Sequence, residues 1–306
     1  MKRSKRIVLE APDGYTFGVS EEDSGELKIK LIPTVATEYS GNYTDPPIPE
    51  GWEYVEGDWN NGFTIQDSKG NQFVWVPVDF LDPNGTLDGS SCSDDGSSCS
   101  EKFGRRNYQD DEFSDDGFNE ELEGELRKQW QSVQKYGGFY ISCYNISRSK
   151  TGEAKSVKGA MPWTNINWFD AMEAAKTFGD GVSVKSHLPY GAEYDSVLEW
   201  FIKSKARTTD EIASDSTQWG NFWNTKDSPG KVVKTGRCKE WSTNGINDLA
   251  GNVDEWTQEK NKSSYRVIRG GGYHNSGNFY PVAYRNFSNP NLSYSFTGFR
   301  AALFLA

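Results

Sequence analysis

Cysteine and histidine are the side chains that would give this chain redox or metal chemistry, and it has four of the first and two of the second. Cys92 and Cys99 lie in GSSCSDDGSSCS, a polar Gly/Ser-rich stretch that leaves a loop disulfide and two free thiols both open. Cys143, in the apolar run FYISCYNIS, reads as an inert core residue, and Cys238 stands alone in GRCKEW. With no C-x-x-C pair and no Cys/His cluster, a structural zinc site is not expected. His187 directly precedes Leu188-Pro189, where a buried or capping role is expected, and neither His187 nor His274 has an evident carboxylate partner for a metal triad. The distinctive chemistry is of another kind. In YHNSGNFYPVAYRNFSNPNLSYSF, residues 273–296, Asn, Ser, Tyr and Phe make up 16 of 24 positions, with no Asp, Glu or Lys. A surface loop of a chain that is 25% charged should carry charges, and a buried strand should carry more Val, Ile and Leu. The composition is that of a recognition surface, where Tyr supplies rigid amphipathic area and Ser and Asn supply adaptable hydrogen bonds.

Positioning such a segment requires a scaffold, and the periodicities supply one. In TNINWFDAMEAAKTFG, Asn167 can cap a helix with Asp170 three residues on, Trp168, Ala171, Met172, Ala175 and Phe178 line one face, and Gly179 closes it. In GAEYDSVLEWFIKSK, Tyr194, Val197, Leu198, Phe201 and Ile202 repeat at helical spacing. FNEELEGELRKQWQSVQKYG reads as a further helix leading into the strand GGFYISCYNIS, and GWEYVEGDWNNGFTIQDSKGNQFVWVPV as aromatic strands joined by turns. The expected class is α+β, with short strands, many turns and no fixed-period repeat. Residues 1–48 read as a β segment and linker, a candidate attachment arm, and 49–306 as the main domain. Within it, 79–117 is Asp-, Ser- and Gly-rich with almost no apolar period, so a long surface insertion is expected there.

A chain of 306 residues with 11 Trp has enough apolar material for a packed core despite a mean hydropathy of -0.75. Its net charge of -11 argues against nucleic acid or an anionic membrane as partner, because phosphate binding needs clustered cations. No apolar stretch reaches the length of a membrane span. The basic start is followed only by Ile7-Val8-Leu9 before Glu10, too short for a signal-peptide core. Display on a virion or surface by another route, or a cytoplasmic location, is therefore expected.

Five motifs in order then carry a resemblance. TNINWFDAMEAAKTFG, SHLPYGAEYDSVLEW, NGINDLAGNVDEWTQE, VIRGGGYHNSG and TGFRAAL are similar to successive motifs of the formylglycine-generating enzyme family, from about Phe73 to Leu303. The resemblance implies a C-type-lectin-like fold, with small twisted sheets, two flanking helices and a large loop-rich region. It assigns structural roles to Gly251, Asn252, Trp256, Gly270-Gly271-Gly272 and Arg300. The family's oxidases use an active-site cysteine pair with copper, just after the Gly-Gly motif. Here that stretch has no cysteine, the last being Cys238, so the activity is not expected. A related iron-dependent branch needs several histidines, more than this chain has. The resemblance also implies a structural calcium on Asp248, Gly251, Val253 and Glu255; the alternative is that the two acids cap turns or pair with arginines.

The position of the segment, closed by TGFRAALFLA, resembles the variable proteins of diversity-generating retroelements, in which adenine-directed mutation of Asn codons yields Tyr, Phe, Ser, His or Asn. That resemblance implies a diversified face within 270–303, with Tyr273, His274, Asn278, Phe279, Tyr280, Tyr284, Asn286, Phe287, Ser293, Tyr294 and Phe296 as ligand contacts. Pro281, Arg285, Pro290, Gly298, Phe299 and Arg300 would be scaffold. The expected function is non-catalytic recognition of a protein or cell-surface ligand, in a phage tail or on a bacterial surface, with the oligomeric state left open. A catalytic relative of the oxidases and a fixed structural virion module are the alternatives.

Overall fold

The runs QFVWVP and GFYIS form the middle of the domain for a reason visible in their side chains. Alternate residues of a strand face opposite sides of its sheet. Val74, Val76, Phe139 and Ile141 therefore join one buried cluster, while Phe73, Trp75 and Tyr140 join another on the opposite face. A sheet covered on both faces needs unbroken apolar strands, and these have them. In the computed structural model the described residues are 15–21, 27–33, 46–58, 61–78, 108, 113–118, 124–261 and 264–306.

The central sheet has six antiparallel strands in the order Val184–His187, Ala302–Leu305, Gly138–Ser142, Gln72–Pro77, Thr64–Asp67, Trp52–Glu56. The last strand of the chain is thus inserted near the middle, tying the C-terminus into the core. Helices α1 (Gly124–Tyr136) and α3 (Gly191–Lys203) cover one face with Leu126, Val133, Tyr194, Val197, Leu198 and Phe201. Helix α2 (Trp168–Ala175) covers the other with Trp168, Ala171 and Ala175. A short α4 (Thr209–Ala213) brings Ile212 to the α3 side. A second sheet runs Asn286–Ser288, Arg266–Arg269, Asp254–Asn261, Thr297–Phe299, the last pair parallel. The expected β segment is a hairpin of Tyr15–Glu21 with Leu27–Pro33.

Helix starts follow their caps. Asn167 Oδ1 accepts from Asp170 N at 2.9 Å, and Asp170 Oδ2 accepts from Asn167 Nδ2 at 2.8 Å. Helix α2 ends at Ala175, earlier than expected; Gly179, at φ +77°, turns the chain where a Cβ would meet Val184 O at 2.5 Å.

The insertion expected at 79–117 is corrected at its end. Tyr108 is fully buried, its hydroxyl bonded to Gln129 Oε1, and Phe113–Asp115 pairs with Glu259–Asn261. The Asp115 carboxylate then accepts from Gly191 N (2.6 Å) and Ala192 N (3.2 Å), satisfying two orphan donors at the start of α3. Asp115→Ala is expected to destabilise the protein by about 1–2 kcal/mol in a urea-unfolding comparison, the usual loss of a helix cap. An unchanged midpoint would remove Asp115 from that role.

Candidate functional site

The segment 273–296 is held by its small and buried residues, and these leave the aromatic ones outside. Gly270 and Gly271 turn at φ +87° and +69°; a Cβ on Gly270 would meet Leu249 O at 2.6 Å. At Gly277 a Cβ would meet Thr217 N at 2.6 Å, and its carbonyl accepts from Ser216 N at 2.9 Å. Val282 and Ala283 are wholly buried, with Val282 N donating to Ser216 Oγ and Ala283 N to Ile212 O. Arg285 is buried as well. Its Nε donates to Glu259 Oε1 at 2.9 Å and its Nη2 to Asp195 Oδ2, while Arg269 Nη2 donates to Asp195 Oδ1 at 2.8 Å. Two guanidiniums and two carboxylates thus form one buried network beneath the segment.

All eleven residues named as contacts are exposed or half-exposed: Tyr273, His274, Asn278, Phe279, Tyr280, Tyr284, Asn286, Phe287, Ser293, Tyr294 and Phe296. Of those named as scaffold, Pro281, Arg285, Gly298, Phe299 and Arg300 are buried and Pro290 is half-buried. The rings gather in groups. Tyr294 stacks on Phe296 with centroids 5.0 Å apart, Phe296 lies 4.2 Å from the His274 ring, and Tyr273 lies 5.6 Å from that ring. Tyr280 and Tyr284 meet edge to face at 5.0 Å beside an open cavity of about 590 Å³, which Trp223, His274, Phe279, Tyr280 and Tyr284 line. Phe279 is 72% exposed, Trp223 61% and Phe287 52%, a grouping that folding alone does not reward.

Three members of this face come from outside the segment and were not expected. Trp223 is fastened by its backbone N–H to Asn275 O at 2.9 Å. Asn224 accepts from Gly277 N at 3.0 Å and donates to Asn278 Oδ1 at 3.1 Å. Tyr265 packs on Phe287 at 5.9 Å. The signal for Trp223 was a Trp in GNFWNTKD, outside any apolar period.

The family model for the Sulfatase-modifying factor enzyme 1-like domain matches residues 102–304. The chain belongs to that family. Its fold is the C-type-lectin-like fold of the formylglycine-generating-enzyme type, as the five motifs implied. No curated protein matches the chain. Among solved structures it is similar to PvdO from Pseudomonas aeruginosa, at 15% identity over 82% of this chain and 100% of that one, TM-score 0.49. It is also similar to Treponema denticola variable protein 1, at 20% identity over 54% and 84%, TM-score 0.37. A third is the Major Tropism Determinant U1 variant, at 13% identity over 98% and 74%, TM-score 0.38.

In this member of the sulfatase-modifying factor family the described thiols are poorly placed for chemistry. Burial pushes the Cys143 thiol up to about 12, and Cys238, raised by burial and then by Glu240, donates to Glu240 Oε2 at 2.9 Å. Cys92 and Cys99 lie outside the described residues. The histidines require a correction: both have carboxylate neighbours. His187 Nε2 lies 2.8 Å from Glu193 Oε2 inside the core, and His274 Nε2 lies 4.0 Å from Asp254 Oδ2 at the face.

The residues named for calcium meet at the turn. Asp248 and Asn252 turn at φ 55° and 65° around Gly251. The Glu255 carboxylate, however, is spent: Arg300 Nε donates to both its oxygens at 2.8 and 3.0 Å, and Asn145 Nδ2 to Oε1 at 2.6 Å. The Gly251 carbonyl accepts from Val253 N at 2.9 Å. Asp248 Oδ2 accepts from Gly236 N at 2.7 Å, and its Oδ1 is buried with no partner among the described residues. Burial pushes the Asp248 carboxyl up to about 6. The cationic charge at the turn is that of Arg300.

Proposed function

We propose that this protein is a non-catalytic recognition module whose C-terminal face binds a protein or a cell-surface structure. The observation that carries the reading is the alternation along 273–300. Aromatic, amide and hydroxyl side chains stand exposed or half-exposed at every named contact position, while Ser276, Pro281, Val282, Ala283, Arg285, Phe299 and Arg300 are buried in the core or in ion pairs beneath them. Rigid rings with few rotatable bonds, set among adaptable amides, favour binding because little conformational entropy is lost. Among the described residues neither thiol is presented at the face: Cys143 is buried and Cys238 is bonded to Glu240.

The finer reading is a diversified variable protein, displayed on a phage tail or a bacterial surface. What supports it is that the eleven named contact positions hold Tyr, Phe, His, Asn and Ser, residue types that adenine-directed mutation of Asn codons produces. The DNA flanking the gene is the direct test. A near-copy of the stretch encoding 270–303, differing only at adenines and lying beside a reverse transcriptase gene, is expected. Absence of both would leave the face as one fixed interface.

We propose further that Arg300, not calcium, holds the turn at Asp248–Glu255. Chelation followed by added calcium should leave the melting temperature unchanged in differential scanning calorimetry. A calcium-dependent rise of several degrees would reverse that assignment.

A further inference from the structure

In a chain with 44 acids, the stretches 154–169 and 228–239 have none. The fold lays them side by side. Thr235 N donates to Ala160 O at 2.8 Å, Gly159 N to Thr235 O at 2.8 Å, and Thr235 Oγ1 to Val157 O at 2.8 Å. Val233 and Thr235 are buried, and Lys231, Lys234 and Arg237 are left exposed. Lys158 joins them from the other stretch: Gly236 turns at φ +61°, and a Cβ there would meet Lys158 Cγ at 3.2 Å. The four cations line one open cavity of about 630 Å³, together with Met161 and Val232.

These charges have no counter-charge among the described residues. Lys155 pairs with Glu153 at 3.6 Å, whereas no ion pair or hydrogen bond engages the side chains of Lys158, Lys231, Lys234 and Arg237. The Asp248 carboxylate, bonded to Gly236 N, is buried and makes no ion pair with them. Four like charges around one cavity repel one another, and folding gains nothing from gathering them. The net charge of -11 does not cancel them, because salt confines each charge's influence to about 8–10 Å.

The cavity wall is continuous with the recognition face. Asn252 Oδ1 accepts from Val233 N at 3.0 Å, and its carbonyl accepts from Tyr273 N at 3.1 Å. Asn221, two residues before Trp223, donates from Nδ2 to Lys231 O at 3.0 Å. A partner lying on the exposed rings therefore reaches the cations with its edge, where complementary charge speeds encounter and fixes register. The lining is apolar as well as cationic, since Met161 is 49% exposed. An acidic side chain next to an apolar one meets both parts, and a phosphate or sulfate group meets only the charge.

We infer that this cavity takes an acidic segment of the partner protein, with Asp or Glu carboxylates on the four cations and an apolar neighbour on Met161. The inference rests on the recognition reading above and narrows its partner to a protein with an acidic edge.

The test uses the whole protein, isotope-labelled at its methionine methyl groups and observed by NMR. Met161 reports the cavity, and Met172, packed against the core, is the internal control. The probes are N-acetyl-Glu-Leu-Glu-Leu amide, its uncharged counterpart with Gln for Glu, and inorganic phosphate. The Glu peptide should shift the Met161 signal and leave Met172 in place, with the Gln peptide weaker by roughly tenfold at low salt. Phosphate should bind more weakly than the Glu peptide. Lys231→Gln, Lys234→Gln and Arg237→Gln combined should erase the preference for Glu without lowering the melting temperature. The assignment is overturned if the Glu peptide leaves Met161 unmoved, if the Gln peptide binds as well, or if the preference survives in the combined variant. Phosphate binding as tightly as the Glu peptide would give the cavity to a phosphate ligand and overturn it too. Should the variant fail to fold, the three probes on the unaltered protein still decide. Failure here with binding still lost on removal of the exposed rings would sink the acidic-segment assignment and leave the recognition reading intact.

Discussion

Asp195→Ala is expected to destabilise this protein by about 3–5 kcal/mol, because it removes one carboxylate from a buried network that holds two guanidiniums. Arg269, Arg285, Asp195 and Glu259 have fully buried side chains, and Asp195 gives one oxygen to each arginine. Deleting it leaves two positive charges and one negative charge where water cannot reach them, and Glu259 cannot balance both. An exposed pair behaves differently. Lys185 and Glu125 meet at 2.9 Å, but the Glu125 side chain is half-exposed, so Glu125→Ala should cost under about 1 kcal/mol. The comparison is made by urea unfolding monitored by tryptophan fluorescence. A loss for Asp195→Ala no larger than that of Glu125→Ala would mean that the arginines find water or other partners and that the network is not what holds the segment. Because Arg285 belongs to the candidate segment itself, the same substitution should loosen the chain between Tyr284 and Phe287. Any fall in binding must therefore be measured well below the melting temperature.

Local signals were legible and long-range ones were not. The cap of α2 could be read because Asn167 and Asp170 are three residues apart, and α3 because Tyr194, Val197, Leu198 and Phe201 repeat on one side. The exposed set could be read because a composition without Asp, Glu or Lys is rare in so charged a chain. Asp195 could not: on a helix surface a carboxylate ordinarily meets water, and its arginines lie far along the chain. Tyr108 and Phe113 were hidden for a related reason, two rings in an acidic run whose partners are α1 and a distant strand. His187 could have been paired earlier: Glu193, at the third position of α3, caps that helix through Tyr190 N at 2.9 Å and so is held next to the histidine.

Replacing Trp223, Phe279, Phe287 and Tyr294 together by Ser is expected to abolish recognition and leave the fold in place. Phe279, Trp223 and Phe287 are more than half exposed, and Tyr294 is half-exposed and stacks on Phe296. None of the four is part of either buried cluster, so each should change stability by only about 0.5 kcal/mol. A ring at the centre of an interface, in contrast, typically contributes about 2 kcal/mol or more to binding. The unaltered protein can be immobilised to select a binder from a random displayed peptide library, and that peptide's Kd compared between the two proteins. Loss of four rings should weaken binding by at least roughly a hundredfold, even allowing for non-additivity, with melting temperatures within a few degrees. A peptide that binds both proteins equally would place recognition elsewhere on the surface. A fall in stability as large as that expected for Asp195→Ala would make these rings part of the core and not a surface kept for a partner.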